Sequence, residues 1–229
     1  MSDLENANST RTQDSQRIKM VATLGMLIAI AYAVMWVCKP IPKVAGILQF
    51  DFKDMVIVIG GLIYGPVAAA GSALLVSFIE MITASGTGPV GMLMNFVSTA
   101  SFCCTAAFVY KRRRSQVGAV AGLAAGVAVM VVVMLLWNYV VTPIYQKVPR
   151  EVVVGMLPTV FLPFNLVKGG LNMAAALLLY KPVVVALRKA NLVPPSEQKK
   201  GKLSLGFVLF ALFLMATFIL LMLVLLGVI

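Results

Sequence analysis

Histidine is absent from this chain of 229 residues, and cysteine occurs only three times. Without histidine, the most common catalytic base and metal ligand is missing, which argues against metalloenzymes and histidine-dependent nucleophilic enzymes. Cys38, Cys103 and Cys104 lie within or beside apolar segments without metal-ligand spacing, so we predict neither a disulfide nor a bound metal. The sequence also lacks a phosphate-binding loop, paired carboxylates and a nucleophile elbow. We therefore predict a protein that is not an enzyme and has no cofactor.

Charged residues are scarce as well. They make up 12% of the chain, whereas 61% of the residues are hydrophobic, and soluble domains carry about 25% charged residues. A membrane span needs about 20 apolar residues, and no period-two alternation typical of a membrane barrel is visible. The sequence therefore predicts an all-α integral membrane protein. Its charge-free windows are 20–38, 55–79, 81–110, 115–146, 152–167 and 203–229.

The net charge of +11 comes from 19 basic and 8 acidic residues. The basic residues fall in the loops, where they mark the cytoplasmic side, and no basic-aromatic nucleic-acid module is present. We therefore predict a lipid bilayer as the surroundings and no nucleic-acid partner. Residues 1–17 are polar and lack a signal-peptide pattern, so they are predicted to form a disordered cytoplasmic tail.

The rest of the chain divides into a membrane domain over 18–188, a basic linker over 189–202 and a further transmembrane helix over 203–229. Segment 55–83 reads either as one long span or as two short spans separated at the Gly65-Pro66 breaker. Counts of lysine and arginine do not separate these topologies, because both put the same majority of basic residues inside.

Three polar side chains stand out in apolar surroundings. Asn165 and Lys168 are one helical turn apart, and Asn138 lies near the end of the preceding apolar segment. Such residues are expensive inside a membrane and often mark a functional site. Their donors and acceptors suit a flat heterocycle with alternating carbonyl and N–H groups. The alternative is structural: the asparagines bridge helices, and Lys168 snorkels or pairs with Glu80, which is predicted to be an exposed carboxylate at a helix end.

The loop over 39–54 precedes the second apolar window. Asp51 and Asp54 are candidates for capping the next helix, with Asp54 the stronger of the two. Leu48 and Phe50 have no solubility reason to be in a polar loop, which favours a lid over a pocket.

Small residues recur every fourth position in the first span, at Gly25, Ala29 and Ala33. This spacing lets another helix approach closely. Packing within the chain and docking of a partner subunit explain it equally well.

Several motifs, in this order, resemble the substrate-binding S component of energy-coupling factor (ECF) vitamin transporters, specifically those for riboflavin. The resemblance covers residues 18–188. The motifs are Phe50-Asp51-Phe52-Lys53-Asp54, Gly60-Gly61-Leu62-Ile63-Tyr64-Gly65-Pro66, Gly86-Thr87-Gly88-Pro89-Val90-Gly91 with Asn95-Phe96, Asn138-Tyr139 and Pro163-Phe164-Asn165-Leu166-Val167-Lys168-Gly169.

The resemblance implies a bundle of six helices in a bacterial plasma membrane, with the N-terminus inside and two short spans at 55–64 and 66–83. It also implies an outward-facing riboflavin site closed by the loop over 39–54. Energy would come from a transmembrane coupling subunit and two ATPase subunits. The implied ligand-binding residues are Asn138, Asn165, Lys168, Leu48, Phe50, Gly91 and Asn95, and the implied docking residues for the coupling subunit are Gly25, Ala29 and Ala33.

The helix over 203–229 departs from this six-helix pattern, and an odd seventh span would place the C-terminus outside. Three alternatives stay open at this point. They are an S component for another vitamin, a solitary carrier, and a membrane scaffold without a ligand.

Overall fold

The computed structural model describes residues 2–84, 86–193 and 204–229, with side chains from residue 13 onwards. These residues form eight α-helices and one π-helical turn, and their only β-type pairing is a single bridge between Val44 and Leu48. The all-α prediction is therefore confirmed. In chain order, the elements are α1 (Ser2–Cys38), α2 (Lys53–Tyr64), α3 (Pro66–Thr83), α4 (Gly88–Arg112), α5 (Gln116–Gln146), α6 (Arg150–Met156), the π turn (Leu157–Phe161), α7 (Leu162–Lys189) and α8 (Leu205–Leu225).

Six helical segments of the described chain are long and apolar enough to cross a membrane. They are Gln13–Cys38, Pro66–Thr83, Gly88–Arg112, Gln116–Gln146, Arg150–Lys189 and Leu205–Leu225. Helix α2 is different, because its 12 residues extend only about 18 Å at the usual helical rise. All of its residues from Lys53 to Leu62 are buried. Helix α2 therefore lies in the centre of the bundle and does not face lipid.

The segment over 55–83 forms two helices. The chain breaks at Gly65, whose φ of 99° favours glycine, and Pro66 then starts α3. Of the two topologies left open by the lysine and arginine counts, the structure has the one with two short helices.

Two predicted boundaries differ from the structure. Residues 1–17 are predicted to form a disordered tail, but residues 2–17 are helical and belong to α1. Pro163 suits the first position of a helix and so predicts a helix start there, but the helical segment begins at Arg150 and continues to Lys189. Prolines normally interrupt a helix because they lack an N–H group. Here the π turn widens the backbone, and the Leu162 N–H donates to Leu157 O. The predicted linker over 189–202 falls largely on residues outside the described part of the chain.

Helices α4 and α5 pack so closely that glycines of α5 contact backbone atoms of α4. The contact is made through Gly118, Gly122 and Gly126, which recur every fourth residue on one face of α5. An added Cβ at Gly122 would lie 2.7 Å from Ala106 O, and one at Gly126 would lie 2.5 Å from Phe102 O. Small residues at this spacing let two membrane helices approach closely, and this contact sets where the far end of α5 lies.

Helix α8 packs along α7 and otherwise presents apolar side chains outwards. The Phe218 ring lies directly against Gly170, where a Cβ would clash, and Ala211 is fully buried. Phe207 contacts the core cluster that contains Ala175–Leu177, whereas Leu225 contacts the cluster around Phe161. Helix α8 therefore runs antiparallel to α7, and the C-terminus lies at the end of the bundle where α7 begins.

Candidate functional site

A cavity of about 140 Å³ lies at the end of the bundle where α7 begins. Its walls come from the loop over 39–52 and from the ends of α3, α4, α5 and α7. The residues that line it are Met35, Lys39, Lys43, Ile47, Leu48, Gln49, Phe50, Asp51, Glu80, Ala84, Gly86, Thr87, Met94, Asn95, Ser98, Met134, Asn138, Phe164, Asn165 and Lys168.

The loop over 39–52 covers this cavity and is held in place by both polar and apolar contacts. Gln49 Nε2 donates to Lys39 O at 2.9 Å, which ties the end of the loop to its beginning. Phe50 is fully buried, and its ring centroid lies 4.7 Å from that of Phe164 on α7. Leu48 is also buried and belongs to the same hydrophobic cluster as Phe50 and Phe164. The loop is therefore anchored by its own hydrophobic residues, as the lid prediction requires.

Four buried charged side chains form an alternating chain beside the cavity. Lys168 Nζ lies 2.9 Å from Asp51 Oδ2, and Lys53 Nζ lies 3.2 Å from the same oxygen. Lys53 Nζ also lies 3.2 Å from Glu80 Oε2. The chain has equal numbers of positive and negative groups, which is the arrangement that makes buried charges tolerable. It links the loop to α2, α3 and α7.

Two predictions about these acids are wrong, those for Asp54 and Glu80. At the start of α2, the Lys53 N–H donates to Asp51 Oδ1 at 3.3 Å, as the capping prediction for Asp51 expects, whereas Asp54 makes no cap. Asp51 pairs with the two lysines, while Asp54 accepts a hydrogen bond of 2.6 Å from Thr99. Glu80 is buried rather than exposed, and its partner is Lys53 rather than Lys168. Folding of the loop over the end of the bundle explains the positions of Asp51 and Glu80, because it brings Asp51 next to Lys168 and shields the end of α3 from solvent.

Asp51 is the shared anion of the chain. Burial raises the pKa of this carboxyl group, but the adjacent ammonium groups of Lys168 and Lys53 outweigh burial and hold the pKa below its usual range. The carboxylate therefore stays ionised at neutral pH and keeps both lysines paired.

Asn172 supports this arrangement and was missed by the sequence analysis. Its Oδ1 accepts from the Met55 N–H at 2.8 Å, and its Nδ2 donates to Asp51 O at 2.8 Å. It therefore fastens the start of α2 and the end of the loop to α7. A signal was present, since Asn172 lies four residues after Lys168 and so shares its helical face.

The two predicted asparagines line the cavity without bridging helices. Asn138 Nδ2 donates to Met134 O, and Asn165 Nδ2 donates to Phe161 O, each at 2.7 Å and within its own helix. Each amide nitrogen carries a second hydrogen. Thr142 donates to Asn138 Oδ1 at 2.9 Å, which fixes the orientation of that amide. Both side chains are thus preorganised at the cavity wall.

The structure brings six of the seven predicted ligand-binding residues to this cavity, namely Leu48, Phe50, Asn95, Asn138, Asn165 and Lys168. The seventh, Gly91, does not line it. Gly91 is buried in the first turn of α4, and its N–H donates to Thr87 O. Its neighbours Met94 and Ser98 line the cavity from the same helix.

The predicted docking residues Gly25, Ala29 and Ala33 are all exposed along one face of α1. An added Cβ at Gly25 meets no atom within 4 Å. Packing within the chain therefore does not explain this stripe in the described residues.

Comparisons with known proteins show the family of this chain. The family model for the substrate-specific component of ECF transporters matches residues 19–184. The riboflavin transporter RibU of Staphylococcus aureus (strain TCH60) is 30% identical over 188 residues, covering 80% of this chain and 99% of that protein. The riboflavin transporter FmnP of Bacillus subtilis (strain 168) is 31% identical over 167 residues, covering 67% of this chain and 85% of that protein.

A solved structure of the S component of a bacterial ECF transporter superposes with a TM-score of 0.64 at 32% identity. It covers 75% of this chain, whereas 99% of its own chain is covered. Helix α8 begins after the last residue that the family model matches, so it is an addition to the common bundle. The chain is a multi-pass bacterial membrane protein and belongs to the family of substrate-specific S components of ECF transporters.

Proposed function

We propose that the chain binds riboflavin at the outer face of the membrane and delivers it inwards together with a coupling module. The observation that carries this proposal is the convergence of Asn138, Asn165 and Lys168 on one cavity with two phenylalanine rings beside it. Amide and ammonium groups complement the carbonyl and N–H edge of a flavin, and the aromatic rings complement its flat face. The names of two similar transporters point to the same ligand.

The cavity is partly open and smaller than the ligand requires. Its volume of about 140 Å³ is below the roughly 300–1,000 Å³ usual for small-molecule sites. The loop over 39–52 therefore has to move outwards to admit a flavin. Such a motion separates Phe50 from Phe164 and lengthens the contact between Asp51 and Lys168, so we propose that this loop is the gate.

Titration of the purified protein with riboflavin tests the proposal directly. We expect flavin absorption bands to co-purify with the protein, and added riboflavin to bind while unrelated vitamins do not. A colourless protein that ignores riboflavin but binds another vitamin would identify an S component of different specificity. A protein that binds none of them would contradict the proposal.

Removing a polar contact should weaken riboflavin binding. We expect Lys168→Ala and Asn165→Ala each to cost about 1–3 kcal/mol of binding free energy, a roughly 5- to 150-fold rise in Kd, because a buried ligand atom loses its hydrogen bond. Isothermal titration measures the change. Lys189→Ala is the matched control, since that lysine is exposed at the opposite end of α7. Unchanged affinity in both site variants would show that these side chains serve the fold alone.

The exposed stripe on α1 suits docking of the transmembrane coupling subunit, which two ATPase subunits would drive. We expect Gly25→Leu to leave riboflavin affinity unchanged and to lower riboflavin uptake severalfold, because a bulky side chain prevents close helix approach. Uptake by cells that carry the coupling module measures this effect. Gly206→Leu on α8, which is equally open, should leave uptake normal. Loss of binding in Gly25→Leu would instead indicate a role in folding.

A further inference from the structure

Glu80 carries an incomplete set of contacts at the cavity wall. It lies in the last turn of α3, its side chain is 10% exposed, and it lines the cavity. Its Oε2 is closed off from the cavity and lies 3.2 Å from Lys53 Nζ, whereas its other oxygen, Oε1, accepts no hydrogen bond from the described residues.

A largely buried carboxylate with one oxygen left without a donor is costly, so it calls for an explanation. The ion pair with Lys53 occupies Oε2 and balances the charge, but it leaves Oε1 open as an acceptor. Asp54 shows the contrast, because this other buried acid receives a 2.6 Å hydrogen bond from Thr99 and lies outside the cavity lining. The difference indicates that Glu80 is kept for a donor that enters the cavity.

The two walls of the cavity present opposite chemistry. Asn138, Asn165 and Lys168 supply N–H donors from α5 and α7, whereas Glu80 supplies an acceptor from α3. Helix α2 packs against both α3 and α7 and stands between them. A matching ligand therefore has an acceptor-rich edge at one end and hydroxyl donors at the other.

We propose that Glu80 is a specificity-determining residue that accepts a hydrogen bond from the polyhydroxyl side chain of a flavin. This inference rests on the proposed function, because it assigns the part of riboflavin that faces α3. The charged chain from Lys168 through Asp51 and Lys53 then fixes both ends of the site, since Lys168 is its first member and Glu80 its last. The flavin ring lies against α5 and α7, and its hydroxyl chain reaches across to α3.

Two flavins tested on one variant separate this role from a structural one. Lumiflavin has the ring system of riboflavin with a methyl group in place of the hydroxyl chain. We expect Glu80→Gln to raise the Kd for riboflavin about 5- to 10-fold, because a charge-assisted hydrogen bond becomes a neutral one. The Kd for lumiflavin should stay within about twofold of its wild-type value, because lumiflavin never makes this bond. Isothermal titration of both ligands gives the two ratios.

Asp54→Asn is the matched control, since it neutralises a buried acid that does not line the cavity. It should leave the ratio of the two Kd values unchanged. Equal losses for both flavins in Glu80→Gln, or no loss for either, would overturn the inference while leaving the proposed function standing. Equal wild-type affinities for riboflavin and lumiflavin would overturn it as well, even if the variant did not fold. Failure of the wild-type protein to bind riboflavin would remove the proposed function itself.

Discussion

Replacing Asp51 with alanine should lower the free energy of unfolding by about 3–5 kcal/mol, the usual effect of breaking a buried ion pair from one side. Asp51 Oδ2 is the contact shared by Lys53 and Lys168. Without it, Lys53 keeps only Glu80, and Lys168 loses the carboxylate that holds it at the cavity wall. Thermal unfolding in detergent should report a lower midpoint, and riboflavin titration should report a large loss of affinity.

A double-mutant cycle distinguishes this ion pair from a general defect. Lys168→Met removes the stranded charge, so adding it to Asp51→Ala should cost less than the sum of the two single changes. Asp14→Ala is the control, because this acid is exposed on α1 and should change stability by no more than about 0.5 kcal/mol. Additive losses in the cycle, or a wild-type midpoint for Asp51→Ala, would show that Lys168 does not depend on this carboxylate.

The helices of the bundle were predictable because their signal is local. Long windows without charge mark membrane spans, and the dipeptide Gly65-Pro66 marks the break between α2 and α3. What the sequence did not reveal is that α2 is central, since a short helix buried on all sides is as apolar as a lipid-facing span. Likewise, Pro163 indicated the start of a helix, but a π turn before it lets the helix that begins at Arg150 continue through this position.

The candidate site was predictable in part, for a different physical reason. Asn138, Asn165 and Lys168 stand out because polar groups are rare in apolar segments. Asp51 does not stand out in a polar loop, and its contact with Lys168 joins positions 117 residues apart in the chain. Glu80 was predicted to be exposed because a turn follows it in the sequence, whereas the folded loop over 39–52 buries it. Contacts made by loop closure depend on tertiary structure, and no periodicity in the sequence indicates them.

The backbone contact between α4 and α5 leads to the second large effect. We expect the double variant Gly122→Ala/Gly126→Ala to lose stability at both positions, by about 1–3 kcal/mol at each site. The added Cβ atoms would lie 2.7 Å from Ala106 O and 2.5 Å from Phe102 O. Both obstacles are backbone atoms, so the helices must separate to accommodate them, and the unfolding midpoint should fall.

The control for this variant has the opposite expected sign. Gly71 lies inside α3 with no atom within 4 Å of an added Cβ, so Gly71→Ala should be neutral or stabilising by about 0.5–1 kcal/mol, because alanine favours the helix. Helix α5 also carries Asn138 to the cavity, so separating α4 from α5 should weaken riboflavin binding together with stability. An unchanged midpoint in the double variant would show that α4 and α5 do not meet at these glycines, and the position of Asn138 would then need another support.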